Sequence, residues 1–206
     1  IIKESKPDDV FLEIGGGDCK VALLVAPHVA KSMVVDVSNA LVPNDIPVDN
    51  FEFVKTTGVQ VPLPSDSVSF IYSNQLMEHL HPDDAMVQVR ELYRVLKPGG
   101  KYLCRTPNRH TGPHDVSMFF DTVARGMHMR EYSYADLGRI FEEAGFKRMR
   151  ILVAPRAYNL FSLPRFAAEA IEKLFAAVPR SLHTRICRSR VARALLGITV
   201  IAEKPD

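Results

Sequence analysis

The sequence predicts an α/β fold in which seven strands form a mostly parallel sheet with helices on both faces. Short apolar runs alternate with amphipathic helical patterns along most of the chain, and this order is typical of sheets built from strand–helix–strand units. A glycine-rich turn, Gly15-Gly16-Gly17, follows the first apolar run directly. The hydrophobic content of 47% and the charged content of 24% are those of an ordinary globular domain.

Each element has its own local signal. Short apolar runs bounded by turn residues predict strands at 10–14, 32–36, 51–54, 67–72, 101–105, 147–153 and 197–202. Amphipathic periodicity predicts helices at 18–29, 82–96, 133–144, 166–177 and 181–196. Pro82 and Ser133 favour helix N-termini, and Gly145 favours a helix end. Pro27 is expected to shorten or kink the first helix because it has no backbone N–H to donate.

Two long segments interrupt this alternation. Residues 106–130 form a connection rich in His, Pro, Gly and Met, and long connections inside compact domains usually carry function or lack order. Residues 156–196 are mostly helical, with an apolar first half and a basic second half. We expect one domain over 1–206, in which 106–130 is an active-site loop and 156–196 is a helical insert or lid.

Composition and charge disfavour several classes of protein. The formal net charge is +2 at pH 7, and no stacking-aromatic motif accompanies the local positive charge, so we expect no nucleic-acid partner. Cys19, Cys104 and Cys187 match neither a disulfide framework nor a metal-binding spacing, which favours a reducing, cytoplasmic location. No apolar run is long enough to span a bilayer, and no segment has the pattern of a secretory signal. Because the chain begins at Ile1 rather than at methionine, missing upstream residues remain an expectation.

The first two strand ends carry the residues of a candidate nucleotide site. In an open parallel sheet, ligands bind beyond the carboxyl ends of the strands. Glu13, Gly15 and Gly17 lie at the first such end and Asp36 at the second. Glycines let a ligand approach the bare backbone, and a carboxylate can accept hydrogen bonds from both hydroxyls of a ribose. The alternative for Asp36 is a helix cap or a solvated strand end.

A dinucleotide is disfavoured as the ligand of this site. The fingerprint G-x-G-x-x-G needs its third glycine for close packing of helix against strand. Lys20 stands at that position, and its side chain would obstruct such packing. A nicotinamide-dependent oxidoreductase therefore stays only as an alternative.

Four further segments follow one another along the chain: VPLPSDSVSFI (61–71), NQLMEHL (74–80), ELYRVLKPGG (91–100) and EAGF (143–146). Together with the glycine-rich turn, they make the sequence resemble the class I S-adenosylmethionine-dependent methyltransferases. The resemblance covers 10–153 and the last strand. It implies a Rossmann-like sheet whose last strand is antiparallel, S-adenosylmethionine as cofactor, and methyl transfer to a small-molecule acceptor.

The resemblance also implies roles for the matched positions. The expected cofactor-binding residues are Glu13, Gly15, Gly17, Asp36, Val37, Thr57, Gly58, Val59 and Ser73. The first three would contact the amino-acid and ribose parts of the cofactor, Asp36 the ribose hydroxyls, the next four the adenine, and Ser73 the methionine part. Three positions depart from the family's pattern: Cys19 replaces its last glycine, Thr57 a frequent acid, and Ser69 a frequent Asp.

Histidines gather on the expected acceptor side, at His79, His81, His110, His114 and His128. A neutral histidine near the transferred methyl group can remove a proton from a hydroxyl nucleophile, so His79 and His114 are the candidate catalytic residues. A structural turn at 78–80 is the alternative for His79. Imidazoles beside Asp115 suit a metal ion, but the spacing matches no metal motif, and we expect no metal site.

The basic half of 156–196 has two interpretations. It carries Arg180, Arg185, Arg188, Arg190 and Arg193. Either these helices cap the sheet and point their arginines at water, or they recognise an anionic or lipid- or sugar-linked acceptor, or a membrane surface. Because fold does not determine function, a non-catalytic methyltransferase-like binding module also stays as an alternative. The sequence favours no oligomeric state.

Overall fold

An eight-stranded sheet forms the centre of the described residues, which are 1–153, 161–187 and 189–206 of the computed structural model. Its strands are β1 (Val10–Ile14), β2 (Lys31–Asp36), β3 (Phe51–Lys55), β4 (Val68–Asn74), β5 (Leu96–Thr106), β6 (Arg148–Val153), β7 (Phe161–Pro164) and β8 (Ile198–Glu203). They lie in the order β3-β2-β1-β4-β5-β8-β6-β7. The strands from β3 to β5 pair in parallel. The last strand, β8, is antiparallel to both of its neighbours, β5 and β6.

The fold class is confirmed, but the predicted number of seven strands is wrong by one. The additional strand is β7, which pairs antiparallel with β6 at the edge of the sheet. It lies inside the segment that was predicted to be mostly helical. Four residues are too few for a period-two pattern to stand out, and the strand forms because the edge of β6 offers it a ladder of hydrogen bonds.

The described helices are α1 (Lys20–Val25), α2 (Pro82–Val95), α3 (Tyr134–Ala144), α4 (Arg165–Ala176), α5 (Arg180–Cys187) and α6 (Arg190–Leu196). The predicted end signals are confirmed. Ser133 forms a reciprocal capping box with Asp136, and Gly145 ends α3 with φ at 114°. The first helix is short and passes into a 3₁₀ turn at Pro27. The helix predicted at 181–196 is two helices, α5 and α6.

Helices cover both faces of the sheet, as the strand residues indicate. In β1, Phe11 belongs to a buried apolar cluster with Ala22 and Val25 of α1, whereas its neighbour Leu12 belongs to the cluster that includes Leu92 of α2 and residues of α3. Successive side chains of a strand point to opposite faces. The near-continuous apolar runs of the central strands follow from this burial on both sides.

The described part of the segment 156–196 packs onto the rest of the domain through a buried carboxylate. Glu172 of α4 is 4% exposed. It accepts hydrogen bonds from Asn108 Nδ2 at 2.8 Å and from the amide of Tyr134 at 3.1 Å. Arg165 adds ion pairs to Glu142 and Glu169. Residues 156–160 and Arg188 of the predicted insert lie outside the described residues.

Within the part of the chain that the structure describes, none of the helices combines the length and the apolar character needed to cross a membrane.

Replacing Glu172 with Ala should lower the free energy of unfolding by about 2–4 kcal/mol, because the amide donors of Asn108 and Tyr134 lose their buried acceptor. Denaturant unfolding followed by circular dichroism measures the change. The matched control is Glu143→Ala, which removes an exposed carboxylate from α3 and should alter stability by less than about 0.5 kcal/mol. Equal effects of the two substitutions would contradict the anchoring role of Glu172.

Candidate cofactor and acceptor site

The carboxyl ends of three parallel strands meet at one edge of the sheet. Ile14 of β1 lies beside Val35 of β2 on one side and beside Ser73 of β4 on the other. The amide of Gly15 then donates to Val35 O at 2.9 Å, which starts the turn out of the sheet. The residues that follow these strands are therefore neighbours in space.

The glycine-rich turn presents bare backbone to open space at Gly17. Gly15 and Gly17 have φ of 69° and 48°, a region that glycine adopts without a steric penalty. A Cβ added at Gly17 would meet no heavy atom within 4 Å. Cys19 also has a positive φ, 60°, so the residue that replaces the family's last glycine retains a glycine-like backbone.

Glu13 is buried beneath this turn. Its side chain is 5% exposed, and Glu13 Oε2 accepts a hydrogen bond from the amide of Ala22, in α1, at 2.9 Å. Burial raises the pKa of Glu13 to about 7, and the nearby charges of Asp18 and Asp36 act in the same direction. The charges that act on this carboxylate are those of two other acids, Asp18 and Asp36, so a positive group of a ligand would be stabilised beside it.

Asp36 lies at the end of β2 and holds the turn in place. Asp36 Oδ2 accepts from the amide of Gly17 and Oδ1 from the amide of Ser38, each at 2.9 Å. Each carboxylate oxygen keeps a second lone pair, so the half-buried group can accept further bonds from a pair of ribose hydroxyls. Val37, the next residue, is exposed and offers an apolar surface beside it.

The remaining expected cofactor residues follow β3 and β4. Thr57 and Gly58 are exposed and Val59 is half-buried, in a loop closed by a hydrogen bond of 2.8 Å from Thr56 Oγ1 to Gln60 O. Ser73 is fully buried, and its hydroxyl lies 2.7 Å from Tyr102 OH. The side chain of Ser73 thus bonds inside the core, whereas the residues just beyond it reach the surface.

The long connection 106–130 begins at the end of β5 and lines an open cavity. The cavity has a volume of about 430 Å³, and its lining includes Arg109, His110, Val123, Met129, Arg130 and Glu131. Asp115 organises the connection, because Asp115 Oδ2 accepts from three consecutive amides, those of Gly126, Met127 and His128, at 2.8–3.1 Å. These bonds hold the pKa of Asp115 well below its usual range.

The two candidate catalytic histidines lie in different surroundings. His79 is exposed, and its Nδ1 is 3.2 Å from Met127 O. His114 Nε2 lies 2.9 Å from Thr111 Oγ1, and the His114 amide donates to Glu131 Oε1 at 2.6 Å.

The structure brings His79 together with His128, which the sequence analysis named among the histidines of the acceptor side but not as a catalytic candidate. Their ring centroids are 5.0 Å apart, and His128 Nδ1 lies 2.9 Å from Glu131 Oε1. Glu78, interpreted from the sequence as part of a turn, belongs to the same group. In the sequence, the only signal for this group was an acid next to a histidine a few residues after β4. His81 lies at the start of α2, where its ring caps the Asp83 amide.

Comparison with known proteins identifies the family of this chain. Residues 2–150 match the family model described as a methyltransferase domain. The chain belongs to this methyltransferase family. The resemblance inferred from the motifs is thereby confirmed, and an S-adenosylmethionine-dependent enzyme is the class that its relatives support.

Three relatives illustrate the similarity. A probable S-adenosylmethionine-dependent methyltransferase of Mycolicibacterium smegmatis is 41% identical over 88 residues, 43% of this chain and 32% of its own. One of Mycobacterium tuberculosis is 32% identical over 136 residues, 66% of this chain and 47% of its own. The uncharacterized methyltransferase YcgJ of Bacillus subtilis is 28% identical over 149 residues, 67% of this chain and 57% of its own.

The crystal structure of YcgJ has the same fold. It superposes with a TM-score of 0.61 at 20% identity and covers 100% of this chain and 96% of the YcgJ chain. In sequence, the chain spans from 32% to 57% of the lengths of the three curated relatives described above. The cofactor of this family is S-adenosylmethionine, and the comparisons favour neither a nicotinamide-dependent oxidoreductase nor a non-catalytic module.

The raised pKa of Glu13 predicts a dependence of stability on pH. The folded state holds the Glu13 proton up to about pH 7, whereas the ordinary pKa is 4.5. The resulting stabilisation is therefore fully present below pH 4.5 and is lost as the pH rises through 7. Relative to Glu13→Gln, which keeps an acceptor for Ala22, the wild-type free energy of unfolding should fall by about 3 kcal/mol across this window.

Urea unfolding of both proteins at a series of pH values between 4 and 8 measures this difference. Glu143→Gln, at an exposed position of α3, serves as the control for removal of a carboxylate. Parallel stability curves for the wild type and Glu13→Gln would contradict the assignment.

Proposed function

We propose that this chain transfers the methyl group of S-adenosylmethionine to a small-molecule acceptor that combines an apolar part with an anionic group. The observation that carries the proposal is that the connection leaving β5 lines a cavity. Because β5 belongs to the same parallel sheet as β1, β2 and β4, its carboxyl end lies at the edge that also carries the glycine-rich turn, Glu13 and Asp36. Cofactor and acceptor would thus meet beyond the ends of β1, β4 and β5.

In this proposal the cofactor lies across the ends of β1, β2 and β3. Gly15 and Gly17 let its amino-acid and ribose parts lie against the backbone, and the buried carboxylate of Glu13 attracts its ammonium group. Asp36 accepts from the ribose hydroxyls. The adenine lies between Val37 and the loop of Thr57, Gly58 and Val59, and the methionine part extends toward the end of β4 near Ser73.

The reaction is a direct displacement at the sulfonium methyl group. The acceptor atom attacks the methyl carbon, the bond from carbon to sulfur breaks, and S-adenosylhomocysteine leaves. Positioning supplies much of the rate, because the attacking atom must lie in line with the breaking bond. Where the acceptor is a hydroxyl, His79 and His114 are the candidate bases. The Met127 carbonyl only accepts, so a hydrogen bond from His79 Nδ1 would leave Nε2 free to take the proton.

The side chains of the connection 106–130 support this acceptor class. Val123 and Met129 are exposed apolar residues that line the cavity. The connection exposes five more apolar side chains: Val116, Met118, Phe119, Phe120 and Met127. Exposed apolar surface of this density marks ligand or surface contacts. Arg109 and Arg130 also line the cavity. Both guanidinium groups pair with Asp136 and remain accessible enough to bind a carboxylate or phosphate of the acceptor.

The helices α4, α5 and α6 also expose apolar and arginine side chains. Phe166, Leu174 and Val191 are exposed on them, as are the arginines Arg185 and Arg193. We infer that this segment acts as a lid for an acceptor with a lipid- or sugar-linked part, and that it contacts anionic membrane surfaces peripherally. A cytoplasmic location stays a prediction.

Replacing Asp36 with Ala should weaken S-adenosylmethionine binding by about 1.5–3 kcal/mol, which is roughly a 10- to 150-fold rise in Kd, because the bonds to a charged acceptor are lost. Titration calorimetry measures the affinity, and thermal unfolding shows whether the fold survives the lost bond to Gly17. The control is Asp45→Ala, at an exposed position in the loop after β2. Unchanged affinity in a folded Asp36→Ala would remove Asp36 from the cofactor site.

The connection 106–130 should become more protected when ligands bind, because it covers the proposed acceptor pocket. Hydrogen exchange with and without S-adenosylhomocysteine should slow for its amides, whereas the amides of α3 provide the internal reference. The amides of Gly126, Met127 and His128 already bond to Asp115 and should change least. Equal protection in both states would indicate a static structural loop.

A further inference from the structure

The turn after β4 and the end of the connection 106–130 assemble three metal-ligating side chains. Glu78, His79 and His128 each offer a ligand atom, and these atoms all lie within 4.8 Å of one another. The backbone of both segments holds them together, because Glu78 O accepts from the amides of Met129 and Arg130 at 2.8 and 3.2 Å. The cluster is therefore built by the fold and is not a chance meeting of mobile side chains.

The buried carboxylate of Glu78 has an unused oxygen. Glu78 is 0% exposed, and its Oε2 accepts from Thr106 Oγ1 at 2.9 Å. Among residues 1–153, 161–187 and 189–206, no donor bonds to Glu78 Oε1. A buried carboxylate oxygen without a partner is costly, and a cation beside it would remove that cost.

Both histidines are oriented so that the same ring nitrogen is available. His79 Nδ1 lies 3.2 Å from the carbonyl of Met127, and His128 Nδ1 lies 2.9 Å from the carboxylate of Glu131. Both partners only accept, so in the neutral form of each ring Nδ1 carries the proton and Nε2 keeps its lone pair. Histidines that ligate metals are held in this way by a carbonyl or a carboxylate behind the ring.

We propose that Glu78, His79 and His128 form a binding site for a divalent transition-metal ion of the zinc or iron class. Two imidazoles and one carboxylate are the ligand set of three-ligand zinc sites and of non-haem iron sites, both of which keep open positions. Bonds of about 2.0–2.2 Å to one ion bring such ligand atoms to about 3.4 Å of one another, so closure shortens each separation by about 1.4 Å or less.

The proposed site is connected to the cavity of the proposed acceptor through one residue. Glu131, which holds the ring of His128, also lines that cavity. A bound ion with an open position would polarise an oxygen of the acceptor, a role that rests on the proposed function. The ion would occupy Nε2 of His79, so that His114 would be the candidate base in the metal-bound protein. Metal binding itself does not rest on the proposed function, and it is measured without cofactor or acceptor.

The test is a calorimetric titration of the chelator-treated protein with Zn²⁺, with Fe²⁺ under anaerobic conditions, and with Mg²⁺. We expect one Zn²⁺ or Fe²⁺ per chain and no Mg²⁺ binding, since Mg²⁺ requires oxygen ligands. His79→Gln, His128→Gln and Glu78→Gln should each weaken Zn²⁺ binding at least 30-fold. Glu131→Gln should weaken it 10- to 100-fold, as expected for a residue that orients a ligand.

The matched control is His28→Gln, which removes an exposed histidine from the 3₁₀ turn after α1 and should leave Zn²⁺ affinity unchanged. His79 is exposed, so His79→Gln should retain the unfolding temperature of the metal-free protein and should lose the rise that Zn²⁺ causes in the wild type. The proposal is overturned if the wild type binds no Zn²⁺. It is equally overturned if folded His79→Gln and His128→Gln bind Zn²⁺ as the wild type does, or if only His114→Gln abolishes binding.

Discussion

The hydrogen bond from the Ala22 amide to the buried carboxylate of Glu13 is the constraint on which the proposed cofactor site depends. It joins the end of β1 to the first turn of α1 across the glycine-rich turn. A second bond, from the amide of Gly17 to Asp36, joins the same turn to the end of β2. Two carboxylates thus hold the path of a backbone segment that has almost no side chains of its own.

The fold was largely predictable because its signals are local. Helix caps such as Ser133 and Gly145, and apolar runs in the central strands, are features of neighbouring residues, and neighbouring residues are what a sequence displays. The short edge strand β7 was not predicted because its formation depends on pairing with β6. The division of the last predicted helix between α5 and α6 depends on the cap at Ser189, which interrupts a continuous amphipathic pattern.

The residues of the candidate site also differ in whether local sequence signals predict them. Glu13, Asp36 and the glycines adjoin predicted strand ends, so the parallel sheet alone predicts that they meet. The group of Glu78, His79 and His128 could not be predicted, because it forms only where Asp115 gathers three amides and turns the connection back toward β4. Cys19 has a positive φ, which costs a residue other than glycine an energy of the order of 1 kcal/mol. Burial of its thiol, which is fully buried, offsets this cost.

The position of β8 has a consequence for how the chain folds during synthesis. This strand begins at Ile198 yet lies between β5 and β6. The parallel half of the sheet can pair as soon as β5 leaves the ribosome, whereas the hairpin of β6 and β7 has no place in the sheet until β8 arrives. Pairings between residues so far apart in sequence form slowly. We therefore expect the nascent protein to complete the parallel half of the sheet, from β3 to β5, well before the half that carries β6 and β7.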